Sequence, residues 1–346
     1  MEHQVQFAPT MRTSLLTLAL LGSLAACATD PNADDGPADG GDGKADGSTP
    51  NVKWSANIKF IVPQNVHNYL EKYQWGDYHI DFHMTRRWFI IGTSGRNWLK
   101  RVGEASADVQ EGDPGNGLEF LTMHRAMIQH LTDRWGKEPV TNSEDGFKTF
   151  GDVLKGWSTD AAVIAHLTKV GGDVATFKKA LTKINNFSSF ASEDEFGLFL
   201  QTTLRLTGEV DPNDSAKRFY NNDATAGAGI HNWLHGQFED GSSPIDVGNP
   251  QTNLSNQRFW GIHGWIEAKW EAFEKAHTRT PLETMQYQDQ LDRFLLHMQL
   301  HSDYSATHHA TNRPSKALVK TIAPIIFMNG AECANVATQA QFEGCI

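Results

Sequence analysis

Cysteine is scarce in this chain of 346 residues: there are three, and no two of them form a Cys-x-x-Cys pair, which excludes thiolate motifs of that kind. There is also no phosphate loop, no dinucleotide glycine fingerprint and no Gly-x-Ser-x-Gly elbow, so neither nucleotide handling nor catalysis by a side-chain nucleophile is supported. Positive charge is in deficit. Thirty Lys and Arg face 41 Asp and Glu, a formal −11, whereas binding a phosphate backbone needs concentrated Lys and Arg; nucleic acid is not an expected partner. Alternating strand runs are few, and only Ile58-Lys59-Phe60-Ile61-Val62, ended by Pro63, reads as extended.

An apolar stretch at residues 15–22 follows Met11-Arg12-Thr13 and closes on Leu24-Ala25-Ala26-Cys27. It is too short for a membrane span and has the order of a secretory signal. The closing residues resemble a bacterial lipobox. That implies residues 1–26 are removed, Cys27 is lipidated, and the protein is held by acyl chains at a membrane of the cell envelope. The other reading is an ordinary signal peptide that happens to contain Cys27. Residues 27–50 read as a flexible acidic tether, because Asp, Gly, Ala and Pro leave almost no apolar bulk to offset ordering entropy. The remaining cysteines, Cys333 and Cys345, either close a short loop by a disulfide or remain free thiols.

What the chain does have is helical periodicity and histidine. With 39% hydrophobic residues, residues 51–346 can bury one large core. Apolar recurrence at three and four residues predicts helices over roughly 65–90, 95–103, 118–135, 147–156, 159–170, 173–185, 192–207, 215–237, 254–276, 281–302 and 315–327. The expected fold class is mainly α: a helical bundle with few short strands, in which histidines projecting inward from facing helices can build a metal site, a dinuclear one if the resemblance drawn below holds.

Fifteen histidines require selection, since a histidine on an apolar helix is more often a hydrogen-bonded core or surface residue than a ligand. His231 and His235 are four apart, so on a helix they share a face with Cβ atoms roughly 5–6 Å apart and can reach one ion. His263 opens a second helical pattern 28 residues further on. Three imidazoles suit copper or zinc better than calcium or magnesium. Upstream, His79 and His83 form another such pair, and His124 follows in the aromatic-rich segment Leu118-Glu119-Phe120-Leu121-Thr122-Met123-His124-Arg125. A third pair, His297 and His301, with His308 and His309 after it, competes with His79 and His83 for the ligand role or forms a surface patch.

The run His231-Asn232-Trp233-Leu234-His235, followed by Asn256-Gln257-Arg258-Phe259-x-x-x-His263, resembles the second copper half-site of the type-3 copper proteins: tyrosinases, catechol oxidases, and arthropod hemocyanins with their phenoloxidase relatives. The segment around His124 is similar to the end of the first half-site. Two departures stand out. Asn256-Gln257 occupies the place where the family usually has Asp-Pro, and nine residues before His124 there is Gly115 where tyrosinases carry a histidine. The resemblance implies two copper ions, one on His79, His83 and His124 and the other on His231, His235 and His263. It implies oxidation of a small phenol or o-diphenol by dioxygen to an o-quinone. It also gives Asn232 a catalytic role, orienting a water that deprotonates a bound phenol, although Asp223 is the only acid in the region that should supply the partner glutamate. Arg125 and Glu267 are expected to orient the imidazoles through hydrogen bonds and ion pairs.

Three other readings stay open. One is a mononuclear zinc or copper protein using only His231, His235 and His263. The others are a reversible oxygen carrier and a degenerate, non-catalytic module.

Overall fold

The structure, a computed structural model, describes residues 60–86, 97, 109, 111–202, 229–241 and 243–303. The signal segment, the tether, Asp223, His308, His309, Cys333, Cys345, residues 215–228 of the helix expected over 215–237 and the expected helix at 315–327 lie outside these residues, as does nearly all of 95–103.

Among the described residues the mainly α expectation is met, with ten α-helices: α1 Gln64–Lys72, α2 Trp75–Arg86, α3 Asn116–Trp135, α4 Phe150–Lys155, α5 Asp160–Val170, α6 Val174–Ile184, α7 Glu193–Thr202, α8 Ile230–Gln237, α9 Gln257–Ala276 and α10 Pro281–Asp303. The extended segment ending at Val62 contributes one isolated antiparallel bridge, Ile61 to Asn256, and the other such bridge joins Pro139 to Thr149. The single helix expected over 65–90 is instead two, because Gln74 adopts a left-handed φ of 53° between α1 and α2. Neither glycine nor proline occupies the turn itself, and Gly76 lies two residues beyond it inside α2.

Helix starts follow side-chain chemistry. Thr149 and Asp152 form a reciprocal capping box at α4, and Thr159 and Asp173 cap α5 and α6. The start of α3 is capped from outside: the Asp194 carboxylate on α7 accepts the N–H groups of Gly115 (2.7 Å) and Leu118 (2.9 Å). Gly115 sits there at φ 97°, a conformation that disfavours any residue with a Cβ. Asn256 caps α9 by accepting the Arg258 N–H at 2.9 Å, while the Gln257 amide bonds the Ile61 and Asn142 carbonyls. Asn-Gln thus starts this helix without the proline of the resembled family.

The core is continuous and aromatic. Trp75, Phe120, Phe150, Phe177, Phe196, Phe259, Trp260, Trp265, Trp270 and Phe273 are all essentially inaccessible. In α9, Gly261 and Gly264 admit the Trp157 ring and the Lys155–Gly156 backbone, which a Cβ at either position would strike. That close approach fixes the height of α9, and with it His263, in the core. No helix among the described residues is long and apolar enough to cross a membrane.

Candidate metal centre

Four helices deliver the six histidines: α2 carries His79 and His83, α3 His124, α8 His231 and His235, and α9 His263. All six are buried. The i, i+4 pairs behave as their spacing requires, with Nε2 atoms 3.2 Å apart in His79/His83 and 3.1 Å apart in His231/His235. His263 Nε2 lies 3.2 Å from that of His231. Two imidazole nitrogens bound at ~2.0–2.1 Å to one tetrahedral ion stand about 3.3 Å apart, so these separations match ligand edges closely.

The two groups adjoin. His124 stacks on His263 at 4.1 Å between centroids and lies 5.7 Å from both His79 and His83. Its ligand-capable nitrogen falls within 4.8 Å of those of His79 and His83, and equally within 4.8 Å of those of His231 and His263. Phe259 packs against both sides, 5.2 Å from His79, 4.2 Å from His263 and 5.6 Å from His235. Phe120 covers His124 and His231 at 4.7 and 4.9 Å. These rings lay apolar surface against the imidazoles of both groups.

Hydrogen bonds behind the rings set their tautomers. His79 Nδ1 meets the Pro250 carbonyl at 2.9 Å, His124 Nδ1 the Phe120 carbonyl at 2.8 Å, and His235 Nδ1 the Val247 carbonyl at 2.8 Å. A carbonyl only accepts, so each Nδ1 carries the proton and each Nε2 presents a lone pair to the pocket. His124 Nε2 has no partner, and an unpartnered buried acceptor is costly unless something positive meets it. The residues therefore fit a soft or borderline cation.

Burial lowers the His79 and His235 pKa values to about 4, and burial together with mutual repulsion holds His124, His231 and His263 well below the usual range. All five are neutral near pH 7, the form that binds metal. A stability consequence follows. In the unfolded chain these groups take up protons near 6.5, whereas in the folded chain His79 and His235 do so only at about 4 and burial and mutual repulsion hold the other three well below the usual range, so the metal-free fold has its full stability above pH 6.5 and loses it as pH falls. His79 and His235 should each contribute a slope of ~1.4 kcal/mol per pH unit between 6.5 and 4. Burial pushes the Glu267 carboxyl up to about 7, and this one group acts in the opposite sense between 4.5 and 7. The urea midpoint of the metal-free protein is expected to drop steeply from pH 7 to 5; a flat profile would contradict neutral burial of the cluster.

Arg125 and Glu267 pair with each other at 2.7 Å rather than with an imidazole. They do so between α3 and α9, so they join the helices that bear His124 and His263. Arg86 makes the analogous tie from α2 to α3, with two bonds to Glu119 at 2.6 and 2.8 Å. Asn232 is half-buried and lies close enough to His231 to favour its protonated form, although His231 Nδ1 has no hydrogen bond. His297 is exposed and stacks on Tyr78 at 4.7 Å, and belongs to neither of the metal-capable groups among the described residues. Two contributors escaped sequence reasoning: the backbone acceptors Val247 and Pro250, which carry no side-chain signature, and Phe259 as the floor shared by both groups. The aromatic position four before His263 was the available signal for Phe259.

Comparisons with protein-family profiles, curated proteins and solved structures find no match to this chain.

Proposed function

We propose that this chain holds two copper ions, one on His79, His83 and His124 and one on His231, His235 and His263, and oxidises a small phenol or o-diphenol to an o-quinone with dioxygen. The observation that carries this reading is the convergence of six buried imidazoles from four helices, with the unpartnered His124 Nε2 adjoining both groups. The likeness of the His231–His263 segment to the type-3 copper proteins supplies the choice of copper and of phenol. Copper so held supplies reversible one-electron chemistry and affinity for dioxygen.

The chain's own residues do the rest. The Pro250, Phe120 and Val247 carbonyls hold three imidazoles in the binding tautomer, and Phe259 and Phe120 keep water from the reacting atoms. Asn232, beside His231, orients a water that takes the proton of an incoming phenol. Lipid on Cys27 keeps the domain at the envelope membrane. Each o-diphenol loses two electrons and two protons, and one dioxygen accepts those from two diphenols to give two waters.

The test is direct. Full-length protein loaded with copper should retain two ions per chain after dialysis, consume dioxygen on catechol with one dioxygen per two quinones formed, and unfold at higher temperature than the metal-free form. Ligand at about 1,000 times its Kd adds ~4 kcal/mol. Two retained ions without catechol oxidation would leave an oxygen carrier, and no retained ion a degenerate module.

One observation favours a second reading. His124 groups with His231 and His263 as well as with His79 and His83, so a single zinc or copper ion could sit on the former set. One ion per chain, whether zinc or copper is offered, decides for it.

A further inference from the structure

Residues 243–252, on the path from α8 to the short 3-10 turn Asn253–Ser255, form no helix or strand, yet two ligand candidates from different triads lean on them. His235 donates to the Val247 carbonyl at 2.8 Å and His79 to the Pro250 carbonyl at 2.9 Å. These acceptors are three residues apart in the chain, while the histidines come from α8 and α2.

The segment is pinned by side chains. Asp246, itself buried, accepts both the Gly248 N–H (3.0 Å) and the Asp240 N–H (2.9 Å) on Oδ1. The Asn256 amide donates to the Ile245 carbonyl at 2.8 Å and the Asn253 amide to Val247 at 3.3 Å. On the other side, the Gln251 amide reaches Asp77 of α2 at 2.7 Å. Gly76 of α2 packs so closely on the Gln251 carbonyl that a Cβ there would overlap it.

From this arrangement, and resting on the metal-centre reading above, we infer that residues 243–253 are a shared bracket for the two metal positions, with Asp246 as its positioning residue. The physical reason is rigidity. A carbonyl behind an imidazole fixes its tautomer and ring direction, and losing such a partner typically costs 10–100-fold in metal affinity. Because one short turn presents both carbonyls, loosening it disturbs both positions together, although Asp246 touches neither histidine of the pair through its own side chain.

The experiment measures zinc and copper affinity by chelator competition, without substrate, in two backgrounds that each isolate one position. His263→Ala leaves the His79, His83 and His124 position, and His83→Ala leaves the His231, His235 and His263 position. Adding Asp246→Ala is expected to weaken binding 10–100-fold in both backgrounds. Asp246→Asn retains an Oδ1 acceptor and should restore most of the affinity. An effect in one background only, an unchanged affinity in both, or failure of Asp246→Asn to rescue overturns the bracket.

If Asp246→Ala does not fold, judged by circular dichroism, Gln251→Ala serves instead. It cuts the tie to α2 and should weaken the His79 position, and no change there counts against the proposal equally. A parent protein that binds no ion at all defeats the metal-centre reading. A parent that binds two ions while Asp246→Ala changes nothing defeats this inference alone.

Discussion

A His124→Ala protein is expected to keep no more than one copper ion per chain and to lose phenol oxidation by more than 100-fold, with helix content unchanged. The loss should exceed the ~10–100-fold effect of removing a partner behind a ligand, because the ligand atom itself is gone. Alanine is the best helix former, and position 124 is interior to α3, so the backbone has no reason to break. The imidazole also faces His263 in a stack at 4.1 Å and points an unpartnered Nε2 into the pocket, so the metal-free fold sheds a buried polar atom along with some packing. His231→Ala should remove the other ion and abolish activity to the same extent. Elemental analysis and oxygen uptake on the two variants separate the readings. If His124→Ala keeps its full metal content and its activity, while His231→Ala loses both, the centre is mononuclear on His231, His235 and His263 and the upstream triad is only part of the core; if each variant loses a single ion held by the parent, that ion sits on His124, His231 and His263.

Much of this site was legible because helical spacing is a strong constraint. The pairs at 79/83 and 231/235 face one way for the reason any i, i+4 pair does, and the structure brings both pairs into one buried cluster. The competing pair at 297 and 301 has the same spacing, and spacing alone could not rank it. His297 stacks on Tyr78 in an exposed position, an outcome decided by where α10 lies along α3. Helix boundaries were readable where Thr149, Thr159 and Asp173 supply caps. They were not readable at Gln74, whose left-handed φ of 53° falls on a residue with no preference for it. The Val247 and Pro250 acceptors are main-chain atoms, so no residue type could announce them. The cap on α3 comes from Asp194, which lies 79 residues from Gly115 in the chain, a separation that local pattern reading does not span.

Arg125→Ala is expected to destabilise the fold by about 3–5 kcal/mol, the usual cost of removing one partner from a buried ion pair. The guanidinium is buried, 2.7 Å from Glu267 and 2.8 Å from Glu274, with Tyr287 Oη at 3.1 Å and its centre 3.4 Å above the Trp270 ring. Removing it strands the Glu267 carboxyl in a site whose burial already raises its pKa to about 7, leaves Glu274 to its remaining partner Arg279, and exposes a Trp270 face. Lysine should not substitute, because one ammonium cannot hold two carboxylates in a planar fork while stacking on an indole. The double variant Arg125→Met/Glu267→Gln separates charge from shape. If stranded charge is the main cost, it should recover more than half of the loss in urea melts at pH 7.5, with a smaller gain at pH 5.5, where Glu267 is already protonated. The same clamp joins the helices bearing His124 and His263, so Arg125→Ala should also lower metal affinity under conditions where it remains folded. Undiminished affinity with reduced stability would limit Arg125 to the fold and remove it from the metal centre.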